Sequence, residues 1–186
     1  MMKNLFLLLS MLMVFTAGCK ENDTQSDAWD DSPRTDVPPV LTNAIWQVGS
    51  ISFGNFWDDQ GQYVGAGHDG AIRYYFKADG TYELYSYLSV RSYNCLSQSY
   101  TYVKGTVEVR GDQLTFHPVE GKYKGADNCV SSNNFVRPVR EDEKVKFAKT
   151  YQWEVSEGND GKIHLYMLED GLAAEPENIL IYDNEM

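Results

Sequence analysis

Three cysteines, three histidines and a surplus of carboxylates are the residues of this 186-residue chain whose types could do chemistry. His68, His117 and His164 stand far apart. None shows ligand spacing such as His-x-His, so a metal site would have to be assembled in space. His117 and His164 fall within expected strands, where a surface or hydrogen-bonded histidine is the ordinary role. There is no Gly-x-Ser-x-Gly elbow and no phosphate loop. Asp58 with Asp59, or Glu157 with Asp160, could form a carboxylate pair, but glycoside chemistry needs a defined separation that spacing along the chain does not supply. Asp58-Asp59-Gln60-Gly61 is a poor match to a calcium loop. The expectation is a non-enzyme with no catalytic residue, no metal and no cofactor.

The cysteines divide into one and two. Cys95 and Cys129 form an even pair in what the first residues mark as an exported chain, which predicts a disulfide. Metal ligation has no local support, since there is no Cys-x-x-Cys and no His nearby. Asn94, Asn128, Asn133 and Asn134 surround the pair, as expected of stapled loops at one rim. Cys19 follows a different segment. Met1-Met2-Lys3-Asn4 leads into an apolar run from Leu5 to Phe15 and then Thr16-Ala17-Gly18-Cys19. A positive charge, a short apolar stretch and small residues make a secretory signal peptide over 1–18. The run is shorter than the ~20 residues a spanning helix needs.

Ala17-Gly18-Cys19 resembles the lipobox of bacterial lipoproteins, with Thr16 where Leu is usual. The resemblance implies cleavage before Cys19 and a diacylglyceryl group on its sulfur. Each buried methylene adds about 0.8 kcal/mol of membrane affinity, so two or three chains hold a protein stably. Lys20-Glu21-Asn22-Asp23 is similar to the short charged signals that send some Gram-negative lipoproteins to the cell surface. The expected location is therefore the outer membrane of a Gram-negative bacterium, facing outward, with a periplasm-facing orientation as the alternative.

Residues 19–41 are expected to be an acidic tether. They hold Glu21, Asp23, Asp27, Asp30, Asp31 and Asp36, together with Pro33, Pro38 and Pro39. Such a composition does not bury enough apolar surface to fold alone. Trp29 is the odd residue there, fit to dock on the domain or at a membrane interface. Residues 42–186 suffice for one core and are too few for two comfortable domains. Residues 1–18 contain one basic residue, Lys3, and no acidic one, so the remainder carries 15 Lys and Arg against 27 Asp and Glu. That balance argues against a nucleic-acid partner, which would need a basic patch.

The elements are strands. Ile72, Tyr74 and Phe76 alternate with Arg73, Tyr75 and Lys77, and Ala78-Asp79-Gly80 turns the chain. Tyr82, Leu84, Leu88 and Val90 share a face, as do Val103, Val107 and Val109. Gly111-Asp112 turns into Leu114 and Phe116. Tyr151, Trp153 and Val155 alternate, Gly158–Gly161 turns, and a strand follows over 162–168 and another over 179–182. Lys144–Lys149 is the nearest helical candidate. This pattern predicts an all-β fold, an antiparallel up-and-down barrel or, alternatively, a β-sandwich.

Trp46, the 74–82 hairpin, the 105–116 hairpin and the Tyr151–Val155 strand resemble lipocalin-like (calycin-type) domains of bacterial lipoproteins, over about residues 44–168. The resemblance implies a barrel with an apolar ligand cavity. Two groups of aromatics are candidate ligand or contact residues. Tyr75, Tyr85, Tyr87, Tyr100 and Tyr102 fall opposite the expected core, where cross-strand pairing is the ordinary role and a contact surface the sharper one. Phe53, Phe56, Trp57 and Tyr63 lie in a long Gly-rich stretch that could be a lid or an irregular hairpin. The expected function is a lipid-anchored envelope protein holding a small apolar or amphipathic ligand or a glycan. The alternatives are an accessory subunit with an envelope protein partner and, third, an envelope hydrolase.

Overall fold

Period-two alternation and Gly-centred turns build nine strands in the computed structural model, which describes residues 28–49 and 68–185. They are β1 (Ile45–Gly49), β2 (His68–Phe76), β3 (Thr81–Ser92), β4 (Cys95–Arg110), β5 (Gln113–Asp127), β6 (Phe135–Pro138), β7 (Thr150–Glu157), β8 (Ile163–Glu169) and β9 (Ile179–Asn184). The single-turn helix α1 (Pro39–Thr42) precedes β1, and a second, α2 (Glu141–Lys144), lies between β6 and β7. The fold is all-β, with every pairing antiparallel.

The hydrogen-bonded order is β4-β3-β2-β1-β9-β8-β7-β5-β6, and β4 also pairs β5. Eight strands therefore close a ring, with β6 outside it. Two seams are short. β1 meets β9 at Trp46↔Asn184 and Gln47↔Asp183, and β5 meets β7 over Gln113–Thr115. The edge of β5 away from β4 is shared: β7 takes its beginning, and β6 takes Lys122–Gly125.

The inward residues fill the ring. Trp46, Leu114, Leu165 and Met167 are wholly buried. Tyr74 packs on Tyr182 and Phe116 at 5.4 Å each, and Tyr82 meets Phe116 edge-on at 4.8 Å. Burial of such rings and aliphatic chains contributes roughly 1.5–3 kcal/mol apiece. Burial pushes the Tyr74, Tyr82 and Tyr182 phenols well up, so all three stay protonated. The Ile72/Tyr74/Phe76 and Val103/Val107/Val109 faces are inward as their alternation requires.

The alternation breaks where β4 and β5 change register, between Lys104 and Gly105, so that Gly105 faces Pro118 and Lys104 faces Glu120. Val119 is the extra residue, a β-bulge that bends the pair. Gly105 is required there: a Cβ would sit 2.2 Å from the His117 carbonyl oxygen and 2.9 Å from the Tyr82 ring.

The ordered packing begins upstream of residue 42. Val37 and Leu41 are buried core residues. Thr35 N–H donates to Val107 O, Val109 N–H donates to Thr35 Oγ1 at 2.7 Å, and Trp46 Nε1 donates to Leu41 O at 3.0 Å. The strap crosses the β2–β3 turn so closely that a Cβ on Gly80 would sit 2.5 Å from Thr35 O. The Pro-rich, acidic composition of this segment conceals two apolar anchors that plug one side of the ring. Among the described residues no helix is long and apolar enough to cross a membrane.

Candidate functional site

The outward face of β2, β3 and β4 carries the tyrosines. Tyr85 lies opposite Tyr102, and Tyr87 opposite Tyr100. Their rings meet at 5.0 and 4.9 Å, and Tyr75 joins Tyr85 edge-on at 5.7 Å. All five predicted tyrosines are thus on one face. They are not equally accessible: Tyr87 and Tyr100 are 2% and 4% exposed, and Gln98 donates to the Tyr87 hydroxyl at 2.9 Å. Half-buried Tyr75, Tyr85 and Tyr102 are the accessible part. Tyr85 donates to Glu83 at 2.8 Å, and burial followed by that carboxylate pushes its phenol up. Burial and the charges of Glu83 and Glu120 push the Tyr102 phenol up to about 12. These hydroxyls are donors at any ordinary pH.

Across the bulge the next outward row is on β5. Tyr102 faces Lys122 and Tyr100 faces Lys124, whose ammonium sits 5.2 Å over the Tyr100 ring. Trp29 docks at the end of this row, its ring 4.7 Å beneath the Lys104 ammonium. Tyr102, Lys122 and Glu120 form one wall of a groove of about 950 Å³. Val136, Arg137, Pro138 and Val139 of β6 and its continuation form another, with Glu141 and Lys144 of α2 and Ala28 at the rim.

The β6–α2 wall is held rigidly. Arg137 donates to both oxygens of Glu143, at 2.7 and 2.8 Å, and its guanidinium stacks 4.8 Å over Tyr123. Glu143 also accepts the Arg140 N–H at 3.0 Å, closing the first turn of α2. Arg137 and then that backbone bond hold the Glu143 carboxyl down at about 2. Gly121 lets β6 approach, since a Cβ would meet Tyr102 O at 2.7 Å and Val139 at 2.8 Å. Lys144 pairs with Glu141 at 2.6 Å, and Glu141 is 87% exposed. Lys122 is exposed and makes no ion pair among the described residues.

The sequence reading missed this groove's cationic side. The signal was present: residues 120–149 carry seven Lys and Arg against five Asp and Glu, in a chain of net charge −11. A second, smaller concavity of about 230 Å³ lies beyond the ring, lined by Leu88, Val90, Gly125 and Phe135. Leu88 is 54% and Phe135 45% exposed.

The other expected residues fall elsewhere. Cys95 and Cys129 form the disulfide, with Cα atoms 5.4 Å apart. Asp127 locks the loop beside it, accepting from Ser97 Oγ at 2.6 Å and from the Val130 and Cys129 N–H groups, bonds that hold its carboxyl down at about 2. Asn128 joins in by accepting from Leu96 N–H. His117 contacts Glu108 on the surface at 3.1 Å, and Asp160 is engaged by His164. Among the described residues no group of three His, Cys, Asp or Glu is placed to hold a metal ion. Cys19, Phe53, Phe56, Trp57 and Tyr63 lie outside the described residues.

Chemically, the groove offers an aromatic edge, cations, carboxylate acceptors and an apolar valine wall. Among the described residues that lining presents no nucleophile beside a base. No model of a known protein family matches the chain, and no curated protein matches it. What the chain is follows from its architecture alone: an all-β protein whose antiparallel strands close a ring around a filled core.

Proposed function

We propose that this chain is a lipid-anchored envelope binding protein, non-enzymatic, whose ligand is an amphipathic small molecule or a glycan. The observation that carries the reading is the groove between Tyr102 of β4 and Val136–Val139. It lies outside the ring, whose own interior is occupied by Trp46, Leu114, Tyr74 and Tyr182. Its size falls in the range of small-molecule sites, and its mixture of apolar wall and convergent polar groups is what such sites use. The ligand is therefore held on the outer face of the sheet rather than inside a barrel cavity. The anchor is the lipid on Cys19, and the signal after it directs the protein to the outer membrane surface.

Native mass spectrometry of the full chain, extracted from its own envelope in mild detergent, tests the reading. A reproducible adduct that Tyr102→Ala and Val139→Asp both abolish supports it. An adduct indifferent to both substitutions overturns the groove as its seat. Incorporation of labelled palmitate that is lost in Cys19→Ala tests the anchor.

A second reading, an accessory subunit of an envelope complex, is favoured by the exposed Leu88, Val90 and Phe135 beyond the ring. Contiguous apolar surface of this kind marks interaction sites. Co-extraction of one stoichiometric partner that Leu88→Asp releases would support it.

A further inference from the structure

We infer that the groove selects an acidic saccharide, a sugar chain bearing carboxylates, in preference to its neutral counterpart; this rests on the groove being the binding site. Three features carry it. The first is charge placement. The strongly acidic chain repels anions in general, yet Lys122, Arg137 and Lys144 all line this one concavity. With Glu120 and Glu141 in the same lining, cations there outnumber carboxylates by one, whereas carboxylates outnumber cations over the whole chain, and that local excess favours an anion against the background field.

The second feature is which of those cations are available. Arg137 is committed to Glu143 by two bonds and serves to hold the wall. Lys122 has no carboxylate partner among the described residues. Lys144 is only 18% exposed, but its partner Glu141 is 87% exposed, so that pair is solvent-screened and easily exchanged. Carboxylates along the ligand can pair with Lys122 and take Glu141's place on Lys144, both of which line the groove, with no buried charge left behind.

The third feature separates a sugar from other anions. A fatty acid needs a dry tunnel, whereas this groove is open and has carboxylates of its own, Glu120 and Glu141, in its walls. Those acceptors suit the hydroxyls of a sugar, which a fatty acid lacks. The half-buried Tyr102 ring offers an apolar edge for the C–H face of a pyranose.

Calorimetric titration of the full chain in detergent tests this, with trigalacturonic acid and its trimethyl ester as probes. The two share a skeleton and differ in charge. The acid is expected to bind about tenfold more tightly than the ester, one charge-assisted contact's worth. That preference should shrink as salt rises from about 50 to about 500 mM. Lys122→Ala should bring the acid down to the ester's affinity, while Lys162→Ala, remote on the β7–β8 turn, changes neither. Equal binding of acid and ester overturns the charge selection and leaves the groove reading standing. No binding of either probe at millimolar concentration overturns the saccharide. An acid preference that survives Lys122→Ala places recognition elsewhere and overturns both.

Discussion

The imidazole Nδ1 of His164 lies 2.8 Å from Asp183 Oδ1, a contact at ion-pair distance that ties β8 to the last residues of β9 beside the two-residue seam with β1. On its other side Nε2 of the same ring is 2.8 Å from Asp160 Oδ1, in the β7–β8 turn. His164 is 7% exposed and packs edge-on against Tyr166 at 5.9 Å. A ring placed between two carboxylates favours its imidazolium form. The Asp160 bond, followed by the charges of Asp160 and Asp183, raises its pKa against the effect of burial.

Stability should therefore depend on pH in a defined direction. A raised histidine pKa means the contribution is complete below the unfolded value of about 6.5 and is lost as pH rises through the folded value. Asp160 is shifted down by the same His164 bond and then by the Lys162 N–H, so its share is present above the usual carboxylate pKa and is lost as pH falls through the depressed value. The expected melting profile is flat from about pH 4 to about 6.5 and declines above. His164→Gln should remove the decline, lowering Tm by roughly 3–5 °C at pH 6 and by little at about pH 9. A wild-type Tm that rises over the same pH range would contradict the bridge.

Gly158 makes room for that ring. A Cβ at 158 would sit 2.5 Å from His164 Cδ2 and 2.6 Å from Nε2. Gly158→Ala should expel the imidazole from between its carboxylates. An NMR titration of His164 should then show its pKa falling back toward about 6.5. An unchanged titration would mean that the turn yields instead of the ring.

The strap ahead of β1 carries stability out of proportion to its length. Val37 is 5% exposed and Leu41 is wholly buried, and full burial of such side chains contributes roughly 1.5–3 kcal/mol each. A chain begun at Thr42 loses both, along with the strap's bonds to Val107, Val109 and the Trp46 indole. Against a total stability of about 5–15 kcal/mol that is a large share. Urea unfolding should show the shortened chain weaker by several kcal/mol, and Leu41→Ala alone weaker by about 2–5 kcal/mol. Equal midpoints would mean the strap is only laid against the sheet.

How legible the fold was from sequence varied with the physical signal. Tyr74/Phe76, Val103/Val107 and Leu114/Phe116 announce their strands, because each faces core on one side and water on the other. The strap was hidden by its company: two apolar residues among prolines and aspartates carry no periodicity. The second half of β5 was hidden by the bulge at Val119, which breaks the alternation, and by Gly121 and Gly125, which are there so that Val139 and Phe135 can approach. β6 has four residues and Pro138, too little for a pattern. The helical turn at Glu141–Lys144 lies just ahead of the Lys144–Lys149 stretch, because Glu143 reaches back to Arg140 and starts it there. The tyrosine face was legible as a face. That Tyr87 and Tyr100 are buried on it, and that its cationic continuation comes from β5, β6 and α2, depends on neighbours far away in sequence.

The disulfide bears on the groove as well as on stability. Cys95 begins β4, and Cys129 stands two residues beyond β5, so the bridge clamps the far end of the hairpin whose residues Tyr102 and Lys122 wall the groove. With a sequence separation of 34 between the cysteines, the chain-entropy model assigns the bridge about 3–4 kcal/mol. The Asp127 bonds to Ser97, Cys129 and Val130 hold the same loop independently. Paired Cys95→Ser and Cys129→Ser substitutions should thus lower the urea midpoint while leaving the sheet intact. Hydrogen exchange should then quicken at Leu96–Ser99 and Gly125–Asp127 more than at Val107 or Leu114, which lie in the filled ring. Uniform quickening across β4 and β5 would show instead that the hairpin opens as one unit and that the bridge, not the core, holds its outer half.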